Sequence, residues 1–358
     1  EVAALSNRSV FLTIALPLAR PAIVAGLALV SMEVVSDFGT VEFFALETLT
    51  LGIFNVWIGM DSITGAAQLS IVTFSFIITM LFAELYSRGS KRFNDTSRRQ
   101  AIQHAKTLNG PKAALCFLLC LIPISFGFLI PVGILFWNVL LSANMVALKE
   151  VWAVLQNSVY VSVIGAAIIM VSAIIIASSS KVNSSKSLRI AGNLSAAGYA
   201  FPGTMLAIGV LSCLRVADQL LSWTNIYLSG TLFALFFAYL VRFQAVGYGA
   251  VSSGLTKIPL NLINCSRSLG LNAQQTTRRV TIPLIHKSII AGAVLAFVDI
   301  MKELPMTLLL RPFNFETLAT YSYQFAHDEL MDKASLPALI IIAVGLVPVI
   351  LLNKLLRA

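Results

Sequence analysis

Charge is scarce in this chain. Of its 358 residues only 11% are Asp, Glu, Lys or Arg, against about 25% in a soluble domain. With 58% hydrophobic residues and a mean hydropathy of +0.86, the apolar content is too large for one water-excluded core. A polytopic membrane protein accommodates it, because lipid solvates what water does not. Cysteine is also sparse. Cys116, Cys120, Cys213 and Cys265 make no disulfide framework. Cys116 and Cys120 stand one helical turn apart in an apolar run, with no further Cys or His at ligand spacing, so they read as packing residues. The three histidines, His104, His286 and His327, are scattered and read as solvated or interfacial. No metal site is firmly assigned.

Several motifs are missing. There is no G-x-x-x-x-G-K-[ST], so no P-loop of the chain's own holds ATP. There is no HExxH and no G-x-S-x-G. Catalysis within the chain is not expected, and the energy for any active process must come from another subunit. The net charge is +9, but basic and aromatic residues do not alternate as base stacking requires, so nucleic acid is not an expected partner. The sequence begins at Glu1 with no Met and no signal-peptide pattern, and a truncated N-terminus is the expectation.

Long apolar runs are abundant. About 20 residues of helix cross ~30 Å of hydrocarbon. Eight stretches qualify, near Leu18–Val35, Ala66–Tyr86, Ala113–Leu141, Asn157–Ser178, Leu194–Val216, Ile226–Val246, Ser288–Glu303 and Leu336–Leu356. Lipid offers the backbone no partners, so these must be helices. The basic loops fall on one side when the spans alternate. They hold Arg88, Lys91, Arg92, Arg98, Arg99, Lys106 and Lys112; Lys181, Lys186 and Arg189; and Lys257, Arg267, Arg278, Arg279 and Lys287. Lys354 and Arg357 end the chain on that side. The opposite loops carry Asp37, Glu42, Glu47 and Asp61, then Glu316, Asp328, Glu329 and Asp332. The positive-inside rule makes the basic side, with both termini, cytoplasmic.

The chain repeats itself at a fixed offset of 266 residues, the separation of Pro17 from Pro283. Ile14-Ala15-Leu16-Pro17 meets Val280-Thr281-Ile282-Pro283, Ala25-Gly26 meets Ala291-Gly292, Glu33 meets Asp299, and Asp37 meets Glu303. After a shift of about three residues, Glu47-Thr48-Leu49-Thr50 meets Glu316-Thr317-Leu318-Ala319-Thr320. The second copy has four further spans upstream, from Ala113 to Val246. The expected organisation is therefore residues 1–87 as the last two spans of one bundle, 88–112 as a polar, basic cytoplasmic linker, and 113–358 as a complete six-span bundle. An intact protein with two six-span bundles is implied.

Asn264-Cys265-Ser266-Arg267-Ser268-Leu269-Gly270, running on through Ala273 to Ile282-Pro283, reads as a turn–helix hairpin at the membrane surface. This stretch resembles the EAA loop of ABC importer permeases, with Gly270 and Pro283 at the motif's Gly and Pro and Asn264-Cys265-Ser266 at the EAA triplet. The approach from Arg242-Phe243 through Gly254 to Ile258-Pro259 is similar to the family's lead into that loop, which covers about residues 251–285. Asp37-Phe38-Gly39-Thr40-Val41, Met301-Lys302-Glu303-Leu304-Pro305 and Leu309-Leu310-Arg311-Pro312-Phe313-Asn314-Phe315-Glu316-Thr317-Leu318-Ala319-Thr320 resemble the ferric-iron branch, whose permeases are fused double-length chains. The resemblance spans essentially the whole chain. It implies an all-α, type I (MetI-like) permease with about eight spans here, set in a bacterial inner membrane. It implies two separate ATPase subunits that bind the ATP and Mg, a periplasmic ferric-binding protein, and ferric iron as cargo. ATPase coupling would fall on Ser266, Arg267, Ser268, Leu269, Gly270, Leu271 and Pro283, and in the first copy on Ala3, Ala4, Leu5 and Pro17. Thiamine, phosphonate or polyamine is the alternative cargo. An ion-coupled secondary carrier is the alternative of another class, but an even number of spans between the copies makes them parallel.

Ionisable residues inside spans are costly and mark function. Glu33 and Asp37 are expected on one helix face, and Asp299 and Glu303 repeat the spacing. These four, with Lys302, are candidates for the translocation path, since Fe³⁺ prefers hard oxygen ligands. Alternatively they pair structurally, Lys302 with Asp299 at i, i+3. Tyr321 and Tyr323 suit an interface belt or a docking surface, and Phe201-Pro202-Gly203 is expected to break the fifth span.

Overall fold

A computed structural model of the chain describes residues 7–88, 109–141, 148–183, 186–195, 197–225 and 227–357. All regular structure among these residues is helical. The linker residues Lys91, Arg92, Arg98, Arg99 and Lys106, with His104, lie outside them, as do Ala3, Ala4 and Leu5 of the expected first coupling segment.

The first copy comprises α1 (Leu16–Ser36), α2 (Gly39–Phe43), α3 (Leu49–Phe54) and α4 (Ile63–Arg88). The chain continues through α5 (Pro111–Leu141), α6 (Leu148–Asn183), α7 (Lys186–Ser195), α8 (Gly203–Leu220) and α9 (Leu232–Thr256). A hairpin of α10 (Leu260–Ser268) and α11 (Ala273–Leu284) leads into α12 (His286–Met301), α13 (Pro305–Leu310), α14 (Leu318–His327) and α15 (Met331–Arg357).

The repeat is a repeat of structure. Each copy has a π-helical turn, at Phe11–Ala15 and Thr277–Thr281, and then a long helix that stops just before or at an acid, Asp37 or Glu303. A short helix follows, then a helix whose N-terminus is capped by a threonine hydroxyl. Thr48 accepts from Leu51 N at 3.3 Å and Thr317 from Thr320 N at 3.4 Å. The copies differ at the proline. Pro283 has no N–H to continue the helical ladder, and the chain turns by 79° between α11 and α12. The pivot Ile285 is 3% exposed and anchored among Met170, Val251 and Ile258. Its counterpart Ala19 is exposed, and α1 runs through Pro17 with helical dihedrals at Ala15 and Leu16.

Among the described residues six helices are long and apolar enough to cross a membrane, or seven if the bent α11–α12 pair is one span. The eighth expected stretch, Leu18–Val35, lies in the 21-residue α1, whose length of about 31 Å also reaches across. The expected eight are reached only by counting both. The fifth span, Leu194–Val216, is broken at Phe201-Pro202-Gly203, as its Pro-Gly pair leads one to expect. Helix α7 stops at Ser195, a 3₁₀ turn occupies Ala197–Ala200, and α8 begins at Gly203 after the break at Phe201-Pro202. The sixth is shifted, running over Leu232–Thr256 rather than Ile226–Val246.

The copies share one core. Ile53, Trp57 and Ala66 of the first lie in the same cluster as Ala207, Leu235, Tyr239, Ile300 and Met306 of the second. Helix α5 joins no core: none of its residues is buried, and Cys116 and Cys120 lie on its apolar outer surface. Apolar exposure of that extent suits lipid. Helices α6, α9 and α12 pack closely through small residues. At Gly247 an added Cβ would stand 2.8 Å from Ile169 Cγ2 and 3.2 Å from Ala173 Cβ. Gly247→Val should therefore push α6 and α9 apart at a cost of about 1–3 kcal/mol. A drop of the thermal midpoint in detergent checks this, and an unchanged midpoint would show the contact to be looser than described.

Candidate functional site

Glu303 sits where α12 has ended and α13 begins. Its side chain is 3% exposed, and a buried carboxylate needs partners. It has four. Arg242 Nη1 of α9 lies 3.1 Å from Oε1, Met306 N donates to Oε1 at 3.3 Å, and Thr307 N and Oγ1 each donate to Oε2 at 3.0 Å. The N–H groups belong to the first turn of α13, so the carboxylate also caps that helix. Thr307 Oγ1 is in turn 2.6 Å from Tyr239 Oη. The break at Pro202 sets Gly203 against this pair, where a Cβ would stand 2.2 Å from Arg242 Nη1 and 2.8 Å from Glu303 Oε1.

Beside the buried pair lies a wetter cluster. Lys302 Nζ stands 3.3 Å from Asp299 Oδ1 and 3.7 Å from Glu33 Oε1, and Tyr199 donates to Glu33 Oε2 at 3.4 Å. Lys302 and Glu33 are 52% and 58% exposed. An ion pair so open to solvent contributes about 0–1 kcal/mol, so it is exchangeable where the Arg242–Glu303 pair is not.

An open cavity of about 450 Å³ holds both clusters and is lined by Glu33, Asp37, Asp299, Lys302 and Glu303 together with Tyr199 and Arg242. The five expected path residues thus come to one place, but not as a ring of equivalent carboxylates. Asp37 does not share a helix face with Glu33, because α1 ends at Ser36 and Asp37 turns extended, with ψ 132°, to accept from Thr40 N at 3.3 Å. Glu303 likewise lies past the end of α12 and is occupied by Arg242. Lys302 does pair with Asp299, as its spacing suggests, and also reaches the first copy. Sequence reasoning missed Arg242 and Tyr199 as lining residues. A lone Arg within an apolar helix was the signal for the first.

The acidic loops of the two copies also meet. Tyr323 donates to Glu42 Oε1 at 2.8 Å, and His327 Nδ1 lies 3.4 Å from the same oxygen. Burial and then Glu42 push the Tyr323 phenol above its ordinary value. Tyr321 donates to Glu150 at 3.2 Å. Both tyrosines are tied to carboxylates rather than lying free in an interface belt.

At the other end, Ser266 to Leu271 close the α10–α11 hairpin. Leu271 N donates to Ser266 O at 3.2 Å and Gly270 N to Arg267 O at 3.0 Å. This is a Schellman C-cap, and it requires the left-handed backbone that Gly270 supplies at φ +89°. Asn272 and Gln275 then form a capping box for α11. Ser266 is buried, its hydroxyl 3.2 Å from Thr276 Oγ1. Arg267, Ser268 and Leu269 face out, and Leu269 is 84% exposed at the tip. Lys181, unnoticed beyond its charge, ties the end of α6 to the start of the hairpin by donating to Leu255 O and, at 2.9 Å, to Ile258 O. Pro17, matched to Pro283, lies within α1.

Comparison with known proteins gives three findings. The family model described as binding-protein-dependent transport system inner membrane component matches residues 170–358, just over half of the chain. The Fe(3+)-transport system permease protein FbpB 2 of Haemophilus influenzae is 25% identical over 346 residues, which are 94% of this chain and 66% of that protein. PhnV of Salmonella typhimurium, whose name assigns it to 2-aminoethylphosphonate transport, is 25% identical over 156 residues, 43% of this chain and 56% of that protein. The chain thus spans less than two thirds of the length of either relative. Among solved structures, a bacterial alginate ABC transporter in complex with an alginate pentasaccharide-bound periplasmic protein aligns with a TM-score of 0.55 at 16% identity, over 69% of this chain and 95% of that one. That likeness is one of fold.

Arg242→Met should destabilise the protein by about 3–5 kcal/mol, because it leaves the buried Glu303 carboxylate without a counter-charge. Adding Glu303→Gln should restore much of the loss. Thermal midpoints of the two single variants and the double variant test the pair, and simply additive losses would mean that the two side chains act independently.

Proposed function

We propose that this chain, which belongs to the family of binding-protein-dependent transport system inner membrane components, is the membrane-spanning part of an ATP-driven importer whose cargo is ferric iron. The observation that carries the reading is the cavity between the two copies, in which Glu33 of one and Asp299 of the other share the ammonium of Lys302. Carboxylates held by an exchangeable counter-cation are what a hard, highly charged ion can displace and use. Similarity to a ferric permease along 94% of the chain supports the same cargo.

The remaining parts fit that role. The α10–α11 hairpin presents Arg267, Ser268 and Leu269 beyond a glycine cap, and the 79° turn at Ile285 joins it directly to α12, which carries Asp299. A push on the hairpin by a separate ATPase subunit reaches the cavity through one helix. Two such subunits, binding ATP and Mg, would act on the two copies, and ATP-driven closure would favour one access state over the other. The positive-inside rule supports a cytoplasmic position for the basic loops, and with them for the hairpin and both chain ends. The acidic loops then face a periplasmic ferric-binding protein. Residues 1–87 and 113–358 serve as parts of two bundles, with 88–112 as the linker.

A phosphonate cargo is the second reading, favoured by the likeness to PhnV and by two cations, Arg242 and Lys302, in the cavity. Membership of a binding-protein-dependent family argues against an ion-coupled carrier. Cargo is separated by reconstituting the full-length permease with its ATPase and measuring ATP hydrolysis with binding protein loaded with ferric iron or with 2-aminoethylphosphonate. Stimulation by the phosphonate alone would overturn the iron reading. Glu33→Gln with Asp299→Asn should reduce iron uptake at matched expression by about tenfold or more, a joint contribution of at least the 1.4 kcal/mol that corresponds to a factor of ten. Uptake equal to the parent protein would remove these residues from the path.

A further inference from the structure

A second cavity, of about 530 Å³, opens beside the first, and Gly39 lines both. It lies among α2, α14 and the start of α15, at the end of the molecule remote from the α10–α11 hairpin. Its walls carry Glu42, Tyr323, His327 and Glu329. Three of these converge. The Tyr323 hydroxyl is 2.8 Å and His327 Nδ1 3.4 Å from Glu42 Oε1, while Tyr323 and His327 stack with ring centroids 5.8 Å apart. The other carboxylate oxygen, Glu42 Oε2, is buried and has no hydrogen-bond partner. Packing alone does not call for such an arrangement, because a buried acceptor without a donor is a cost. Phe38 packs against Tyr323 with the rings tilted by 44° and their centroids 5.7 Å apart.

We propose that Glu42, Tyr323 and His327 form an outer ferric-iron site, from which the ion passes by way of Gly39 into the Glu33–Asp299 cavity. The inference rests on the iron reading above and adds a first station to it. Among the described residues no group of three or more His, Cys, Asp and Glu side chains could hold a metal. The phenol is what completes this set. Carboxylate, phenolate and imidazole together suit Fe³⁺, which prefers hard oxygen donors, better than they suit a soft cation. On binding, the Tyr323 O–H bond breaks and an Oη–Fe bond forms. The proton leaves along the existing hydrogen bond to Glu42 Oε1 and on to water. Burial holds the phenol protonated while the site is empty, and the charge of a bound ion reverses that preference. Because Glu42 belongs to the first copy and Tyr323 and His327 to the second, an occupied site also ties the two copies together at their outer end.

The test uses the full-length permease in complex with its ATPase, titrated with ferric nitrilotriacetate. Coordination by Tyr323 gives a visible phenolate-to-iron charge-transfer band. The band should appear in the parent complex, persist in Tyr321→Phe and vanish in Tyr323→Phe. Glu42→Gln and His327→Gln should weaken iron binding by about tenfold or more, the loss seen even when a group that only orients a metal ligand is removed. His327 is 60% exposed, so its replacement leaves the fold intact. Radioiron uptake by proteoliposomes with the cognate binding protein, at limiting iron, should fall in parallel. A parent complex that imports iron without showing the band, or a Tyr323→Phe complex that imports it as well as the parent, overturns the outer site and leaves the importer reading standing. A parent complex that shows the band and imports no iron upholds the site and overturns the transport reading instead.

Discussion

The buried pair between Arg242 and Glu303 is the constraint on which the rest of the arrangement depends. Glu303 follows the end of α12, caps α13, reaches the Thr307–Tyr239 link and neutralises the one arginine that α9 carries into the core. Its demands extend to α8, where only a residue without a Cβ fits against the pair, and so to the break at Pro202 that brings Gly203 there. A charge held in this way is fixed, since moving it would strand either partner in low dielectric. Asp299 and Lys302 therefore have one rigid wall beside them, and their own looser contacts with Glu33 are the ones free to change.

The two copies are alike in architecture and unlike in mechanics. Both pass from a π-helical turn through a long helix to an acidic break and a threonine-capped helix. Only the second turns at its proline, because Ile285 is seated in the apolar cluster of Met170, Val251 and Ile258 and Ala19 is not seated in one. The hairpin of the second copy is thereby held across the end of the bundle. Lys181 fastens its entry to α6, and Ile285 fastens its exit to α12. The exposed Leu269 tip thus belongs to a hairpin tied at its two ends to α6 and α12.

Much of this was legible in the sequence because it rests on local rules. Apolar runs of spanning length, a glycine where a helix must end in left-handed backbone, and a proline where the ladder must stop are properties of a few adjacent residues, and the fixed offset between the copies carries each of them across. Asp37 shows where local rules fail. Spacing by four puts two residues on one face only while the helix lasts, and α1 stops one residue before Asp37. The break in the fifth span was legible by contrast, because Phe201-Pro202-Gly203 marks it locally.

That the chain lives in lipid, that its regular structure is helical, that it repeats, and where the hairpin turns can all be read along the chain. These follow from transfer energies and backbone geometry, which act over at most one span. Which charges face one another is set by packing between distant helices. Glu42 and Tyr323 are 281 residues apart, and Glu33 meets Lys302 across the copies. A carboxylate takes whichever donor the packing of distant helices brings within reach, and no pattern along the chain encodes that distance.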